Sequence, residues 1–360
     1  MKILDKYLIK QFLQTILFGL LAFTLIFVVI DMMENLDDFI DQNVPYHYII
    51  QYYLVFIPEI IRLMTPVAVL LASLFTAGKM SNLNELTAIK AGGVSLYRFM
   101  APFLGTALLI SVLGVYVGGY LVPLANKHKV YIEQTYMKKG ITNFGSNIFF
   151  QDTKNRIVTI KYYDVANDQA NQVSIQEFDP TDHTKIISRT DAYRMKFDTT
   201  KYCWTLYNGV TRTFNGDKET FEKFFIKDYY GMNFKPAEVI KKQRKPEEMT
   251  LPELENYAAD QQRTGNNPVP VIIEYQSRIA FAFSSFVVVL FGLPISANKR
   301  RGGLAIQFGL NVLITFVYLV FMKVSQSFGK NGVMNPFITA WFANFVFLAA
   351  AMVNIKRASK

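Results

Sequence analysis

Six apolar runs, at residues 12–30, 54–77, 99–122, 271–295, 304–328 and 336–353, decide what this chain can be. A helix rising 1.5 Å per residue needs about 20 residues to cross roughly 30 Å of hydrocarbon. In that medium every backbone N–H and C=O has to be satisfied within its own segment, so the runs predict six membrane-spanning helices. They fall into two groups of three, parted by a long segment with no such run. The first is not a cleavable leader: its apolar stretch is too long, and Asp31-Met32-Met33-Glu34 stands where small residues would be needed.

Lys and Arg in the short connections orient the spans. Lys2, Lys6 and Lys10, then Lys79, Lys90 and Arg98, then Lys299, Arg300 and Arg301, and finally Lys356, Arg357 and Lys360 all fall on one side of a six-span layout. On the other side, residues 31–53 hold five acids and no Lys or Arg. Both termini are therefore expected in the cytoplasm, with the long middle segment outside. The net charge of +10 does not mark a nucleic-acid surface, because in residues 125–270 the 22 Lys and Arg nearly balance 19 Asp and Glu. Cys203 is the single cysteine, and the three histidines lie too far apart to suggest a metal site.

The sequence thus divides into residues 1–124 (spans one to three), 125–270 (an inserted domain with its return linker) and 271–360 (spans four to six and the tail). In the insert, alternation places Tyr193, Met195 and Phe197 on one strand face and Arg194 and Lys196 on the other. Asn208-Gly209 reads as a hairpin turn and Asn215-Gly216-Asp217 as a second. Several antiparallel strands in a sandwich or jelly-roll-like arrangement follow, with a short helix around 252–262 in the linker. The fold class is α+β: six transmembrane helices, 3+3, with an inserted β-jelly-roll-like domain.

Between spans two and three, Asn82 and Glu85 are spaced as a capping box. Leu83, Leu86 and Ile89 share a helical face, and Gly92-Gly93 is a stop signal. A short cytoplasmic helix is predicted at about 82–92. It is either an interfacial connector or a coupling helix that docks on an ATPase.

Charges inside spans are costly and draw attention to function. Glu59 and Arg62 stand three apart in span two, between Pro58 and Pro66, and Glu274 and Arg278 stand four apart at the start of span four. Each pair reads either as mutual neutralisation or as a substrate contact. Lys323 near the outer end of span five is placed to snorkel to water. No Walker A pattern occurs, since Gly78-Lys79 and Gly329-Lys330 lack its spacing, and no nucleophile elbow is present.

Several of these stretches, in this order, resemble the LptF/LptG permease family. They are Ile3-Leu4-Asp5-Lys6-Tyr7, Pro58-Glu59 with Pro66, the loop Asn84-Glu85-Leu86-Thr87-Ala88-Ile89-Lys90-Ala91-Gly92-Gly93-Val94-Ser95, Arg301-Gly302-Gly303, and Pro336 with Ala340-Trp341 and Asn344. The resemblance covers essentially the whole chain, and the Leu-Asp-Lys-Tyr opening and compact length lean to the LptG branch. It implies a non-catalytic permease in the bacterial inner membrane, with its β-domain periplasmic. Such a permease pairs with a paralogous LptF-like permease and two copies of an LptB-like ATPase, and extracts lipopolysaccharide through gates at spans one and five. It hands the lipid to LptC/LptA-like bridge proteins. ATP and Mg would be bound by the ATPase, with no cofactor in this chain.

On the same resemblance Asn84, Glu85, Leu86, Ile89, Lys90 and Gly92 are the coupling residues. The family pattern also implies basic residues at the outer end of span one, yet Asp31, Glu34, Asp37 and Asp38 stand there. Headgroup contacts then fall to Arg62, Lys127, Lys129, Arg278 and Lys323 or to the partner permease, unless the lipid carries fewer phosphates. Two other readings remain at the sequence level. A lipid- or glycan-modifying enzyme would have to use the acids of 31–41, and a scaffold would merely anchor the β-domain.

Overall fold

The computed structural model describes residues 3–137, 139, 148–164, 168–182, 184–199, 201–216, 218–236, 239, 245–263, 267–296 and 303–358. The chain divides into two compact units, Met1–Val130 with Pro246–Lys360, and Tyr131–Lys245.

In the first unit, α1 (Ile3–Glu34) leads through the short α2 (Leu36–Asp41) into α3 (Tyr46–Asn82), which runs unbroken through Pro58 and Pro66. After α4 (Glu85–Ala91) comes α5 (Leu96–Tyr116), capped by the Ser95 hydroxyl, which accepts from the Arg98 N–H at 3.3 Å. One π-helical turn, Val117–Leu121, joins α5 to α6 (Val122–Thr135). On the return, the Thr250 N–H and hydroxyl both donate to the Glu253 carboxylate, at 2.8 and 3.0 Å, where α7 (Leu251–Arg263) starts, the helix expected around 252–262. Three long helices follow: α8 (Val269–Ser296), α9 (Gly303–Lys330) and α10 (Pro336–Ala358).

All six predicted spans are helices at their expected places. Five of them are long and apolar enough, among the described residues, to cross a membrane. The sixth, α9, has 28 residues and covers the run at 304–328. The chain is an α+β membrane protein.

Two apolar clusters join the spans. One packs Leu8 and Phe12 of α1 against Val69 and Met80 of α3, Leu86 of α4, Phe99 and Phe103 of α5 and Leu293 of α8. The other gathers α8, α9 and α10 around Tyr318, whose hydroxyl donates to Asn344 Oδ1 at 2.7 Å; Asn344 Nδ2 then donates to the Ala280 carbonyl at 2.8 Å. In hydrocarbon, which gives no hydrophobic drive between helices, such buried polar links hold spans together.

The second unit is a six-stranded antiparallel meander: β1 (Ile148–Thr153), β2 (Arg156–Asp164), β3 (Gln169–Phe178), β4 (Ile186–Asp198), β5 (Cys203–Asn215) and β6 (Lys218–Tyr229). Every ladder from β2 to β6 skips one position. Lys161 and Gln172 do not pair, nor do Gln172 and Tyr193, Tyr193 and Asn208, or Asn208 and Phe225, although the register on either side is unbroken. Gln172 and Asn208 both adopt φ of 51°. The result is a crease across five strands. Burial slips by one residue there, from Val158 and Ile160 to Tyr163 on β2 and from Ala192 to Met195 on β4.

This slip corrects two expectations. Asn208-Gly209 is not a turn; it lies mid-strand in β5, where the positive φ that suits an Asn-Gly turn serves the crease instead. Tyr193 does not share the face of Met195: it sits on the crease and is 60% exposed. The second expected turn does join β5 to β6, with Asn215 paired to Lys218 and Gly216 at φ 62°; Asp217 lies outside the described residues.

The meander folds over its own core. Residues on one side of the crease, such as Val158 and Ile175, pack with Trp204 and Leu206 from the other. Arg156 clasps the two sides through Asp152 (3.0 Å), Glu177 (3.1 Å) and the Gly231 carbonyl (2.9 Å), with its guanidinium over the Tyr229 ring. Burial would raise the Glu177 carboxyl. Hydrogen bonds from Tyr229 and Ser188 and the charge of Arg156 outweigh that and hold it below its ordinary value. Asp228 is held down by its hydrogen bonds from Lys201 and Thr205.

A carboxyl with a lowered folded-state value adds stability above its unfolded value and loses it as pH falls through the folded one. The β unit is therefore expected to unfold on acidification below about pH 4. Trp204 fluorescence in the full chain carrying Trp341→Phe should report the transition. Adding Glu177→Gln should flatten the acid limb, and an unchanged limb would show that Glu177 does not control it.

Candidate functional site

The loop between α3 and α5 begins where the α3 ladder ends. Leu83 still donates to the Lys79 carbonyl at 3.0 Å, so Asn82 is the last residue of α3 and does not cap the next helix. Asn84 takes that role: it turns the chain at φ 58°, and its carbonyl accepts the first bond of α4, from Ala88 at 3.0 Å. Leu83 is consequently exposed and off the apolar face, while Leu86 is buried in the core of the first unit and Ile89 packs against it. The stop is as expected: Gly93 has φ 80° and Val94 donates back to the Ile89 carbonyl, a Schellman-type closure. Thr87, Ala88, Ala91 and Gly92 face outward; the Lys90 side chain lies outside the described residues.

Two contacts to α1 were not visible in the sequence. The Tyr7 hydroxyl donates to Glu85 Oε2 at 3.3 Å and accepts from Gln11 at 2.9 Å. Arg98 Nη2 reaches both Asp5 oxygens, at 2.8 and 2.7 Å. Both partners come from the opening Asp5-Lys6-Tyr7, which carried the family resemblance without showing what it touches.

The intramembrane charges converge on one cavity of about 140 Å³, lined by Arg62, Thr65, Pro66, Arg278, Phe281 and Ala282 among others. Arg62 meets Glu59 at 3.9 Å and lies 6.0 Å from the Phe281 ring centre. Its Nε is buried with no hydrogen-bond partner among the described residues. The π-helical turn makes room for it, since a Cβ on Gly118 would come within 3.2 Å of Arg62 Cδ.

Arg278 is held differently. Only 5% exposed, it donates Nε to Glu274 (3.0 Å), Nη1 to the Met249 carbonyl and Nη2 to the Pro246 carbonyl (2.6 Å). It fastens the chain that enters α7 onto α8. The other candidates stand apart from this cavity. Lys129 lies 4.2 Å from the Phe56 ring centre and 5.5 Å from that of Tyr52, Lys127 is exposed on α6, and Lys323 is exposed on α9.

The family described as "Lipopolysaccharide export system permease LptF/LptG" matches residues 6–357. The lipopolysaccharide export system permease protein LptF of Escherichia coli (strain K12) is 21% identical over 358 residues, covering 98% of this chain and 94% of that protein; the LptF of Shigella flexneri matches equally. These matched relatives carry the LptF name. With nearly its whole length matched, the chain belongs to the LptF/LptG family of lipopolysaccharide export permeases.

Proposed function

We propose that this chain is the membrane half of an ATP-driven exporter that lifts lipopolysaccharide out of the bacterial inner membrane. A separate cytoplasmic ATPase dimer binds ATP and Mg and docks on α4. A paralogous permease completes the cavity, and the β unit, on the periplasmic side, passes lipid to bridge proteins. The observation that carries the reading is α4 itself. It is a short helix anchored by Leu86 while its Thr87, Ala88 and Ala91 surface stays uncovered. Leu4, Leu86, Leu96 and Ile355 belong to one apolar cluster, so the N-terminus, the loop and the end of α10 meet at one end of the bundle. That is the Lys- and Arg-rich end, which supports a cytoplasmic placement.

Glu85→Arg reverses the charge beside that surface and should cut co-purification of the ATPase in mild detergent at least about tenfold, the size of one lost charge-assisted contact. Lipid release from proteoliposomes should fall with it. Undiminished ATPase capture and release would remove α4 from the coupling role.

A further inference from the structure

We propose that the first turns of α1 are a latch that makes the first span move with the docking loop, with Asp5 and Tyr7 as its positioning residues; this rests on the docking reading of α4. The two contacts grip the loop at opposite ends. Tyr7 holds Glu85, the first residue of α4, and Asp5 holds Arg98, in the first turn of α5. Asp5 is only 7% exposed, so its carboxylate needs compensation, and the Arg98 guanidinium supplies it. Around the polar grip, Leu8 and Phe12 are buried in the cluster that contains Leu86, Phe99 and Phe103, and the Phe12 and Phe103 rings meet edge-on at 5.1 Å.

All four buried residues of α1 lie in its first half: Asp5, Leu8, Phe12 and Ile16. Further along, Leu21, Leu25, Ile26, Val29 and Ile30 are exposed. The helix is thus buried deeply at the end that touches the loop and only lightly at the other, where Asp31 accepts from the Tyr52 hydroxyl of α3 at 3.5 Å. The 18 residues from Leu17 to Glu34 make an arm of about 27 Å, so a tilt of about 10° at the latch sweeps the far end by about 5 Å. Glu85 therefore has two duties. One face of its helix is free to meet a partner, while its carboxylate is tied to the span that the partner has to move.

The test uses the assembled complex in proteoliposomes and reads lipid released per ATP hydrolysed, alongside the amount of ATPase bound. Asp5→Asn should leave ATPase binding and hydrolysis within about twofold and lower the lipid-to-ATP ratio about tenfold, the weight of a charge-assisted pair. Exchanging the charges, with Asp5→Arg and Arg98→Asp together, should recover most of that ratio. Tyr7→Phe leaves the Asp5–Arg98 ion pair intact and should lower the ratio about threefold, the low end for a single hydrogen bond as fits one that is long and exposed, so it reads the latch even if Asp5→Asn fails to accumulate. An unchanged ratio in Tyr7→Phe and Asp5→Asn with the ATPase bound, or no recovery on exchange, overturns the latch alone. A wild-type complex that holds no ATPase overturns the docking reading, and the latch with it.

Discussion

Arg278→Ala is expected to cost about 3–5 kcal/mol, the range for removing one partner of a buried ion pair. Folded proteins hold only about 5–15 kcal/mol in total, so the variant should accumulate poorly and melt well below wild type in detergent. The truncation does more than delete one pair. Glu274 loses its cation, and the Met249 and Pro246 carbonyls lose the donors that fix the chain ahead of α7. Arg278→Lys keeps the charge but can reach only part of this forked set, so it should fall between the two.

Arg62→Ala should behave differently. Among the described residues its one ion pair is 3.9 Å long and its Nε is unused, so the cost in stability should be smaller than that of Arg278→Ala. If either arginine meets a lipid headgroup in the cavity they share, Arg62 has the donor to spare. A stable Arg278→Ala protein that loses lipid crosslinking would reverse that assignment.

Arg156→Ala should be the most damaging single change in the β unit, at about 3 kcal/mol or more. The Asp152 side chain has no exposed surface, and without Arg156 it keeps, among the described residues, only its bond from the Asn233 N–H at 2.7 Å. Glu177 would lose a cation and the Gly231 carbonyl a donor. Urea unfolding of the Trp341→Phe protein, followed by Trp204, should show an earlier midpoint. Wild-type behaviour would mean that the apolar core alone keeps the two sides of the meander together.

What could be read from the sequence divides along a physical line. Runs at 12–30 through 336–353 announce helices because hydrocarbon leaves the backbone no alternative, and all six formed. The short helix expected at about 82–92 is present with its glycine stop, since Gly93 acts through its own φ. Its start was misplaced by two residues because Asn82 and Asn84 are equally good caps on paper, and only the continuing α3 ladder chooses between them.

The crease was missed for a similar reason. Gln172 carries no sign of a positive φ, and at Asn208-Gly209 the sign was read as the commoner turn. Partners for the candidate charges were the least legible. Asp5 and Arg98 are 93 residues apart, and two of the groups that hold Arg278 are backbone carbonyls, which no side-chain pattern announces.

The crease also sets the mechanics of the β unit. A sheet is stiff because bending it strains the hydrogen bonds that link its strands. Along 161, 172, 193, 208 and 225 there are no ladder pairs to strain. Rotation about that line carries every pair on either side along intact, and what resists it is the apolar core the two sides share. The unit is built like a book with a soft spine and stiff covers, and Arg156 is the bolt across its open edge.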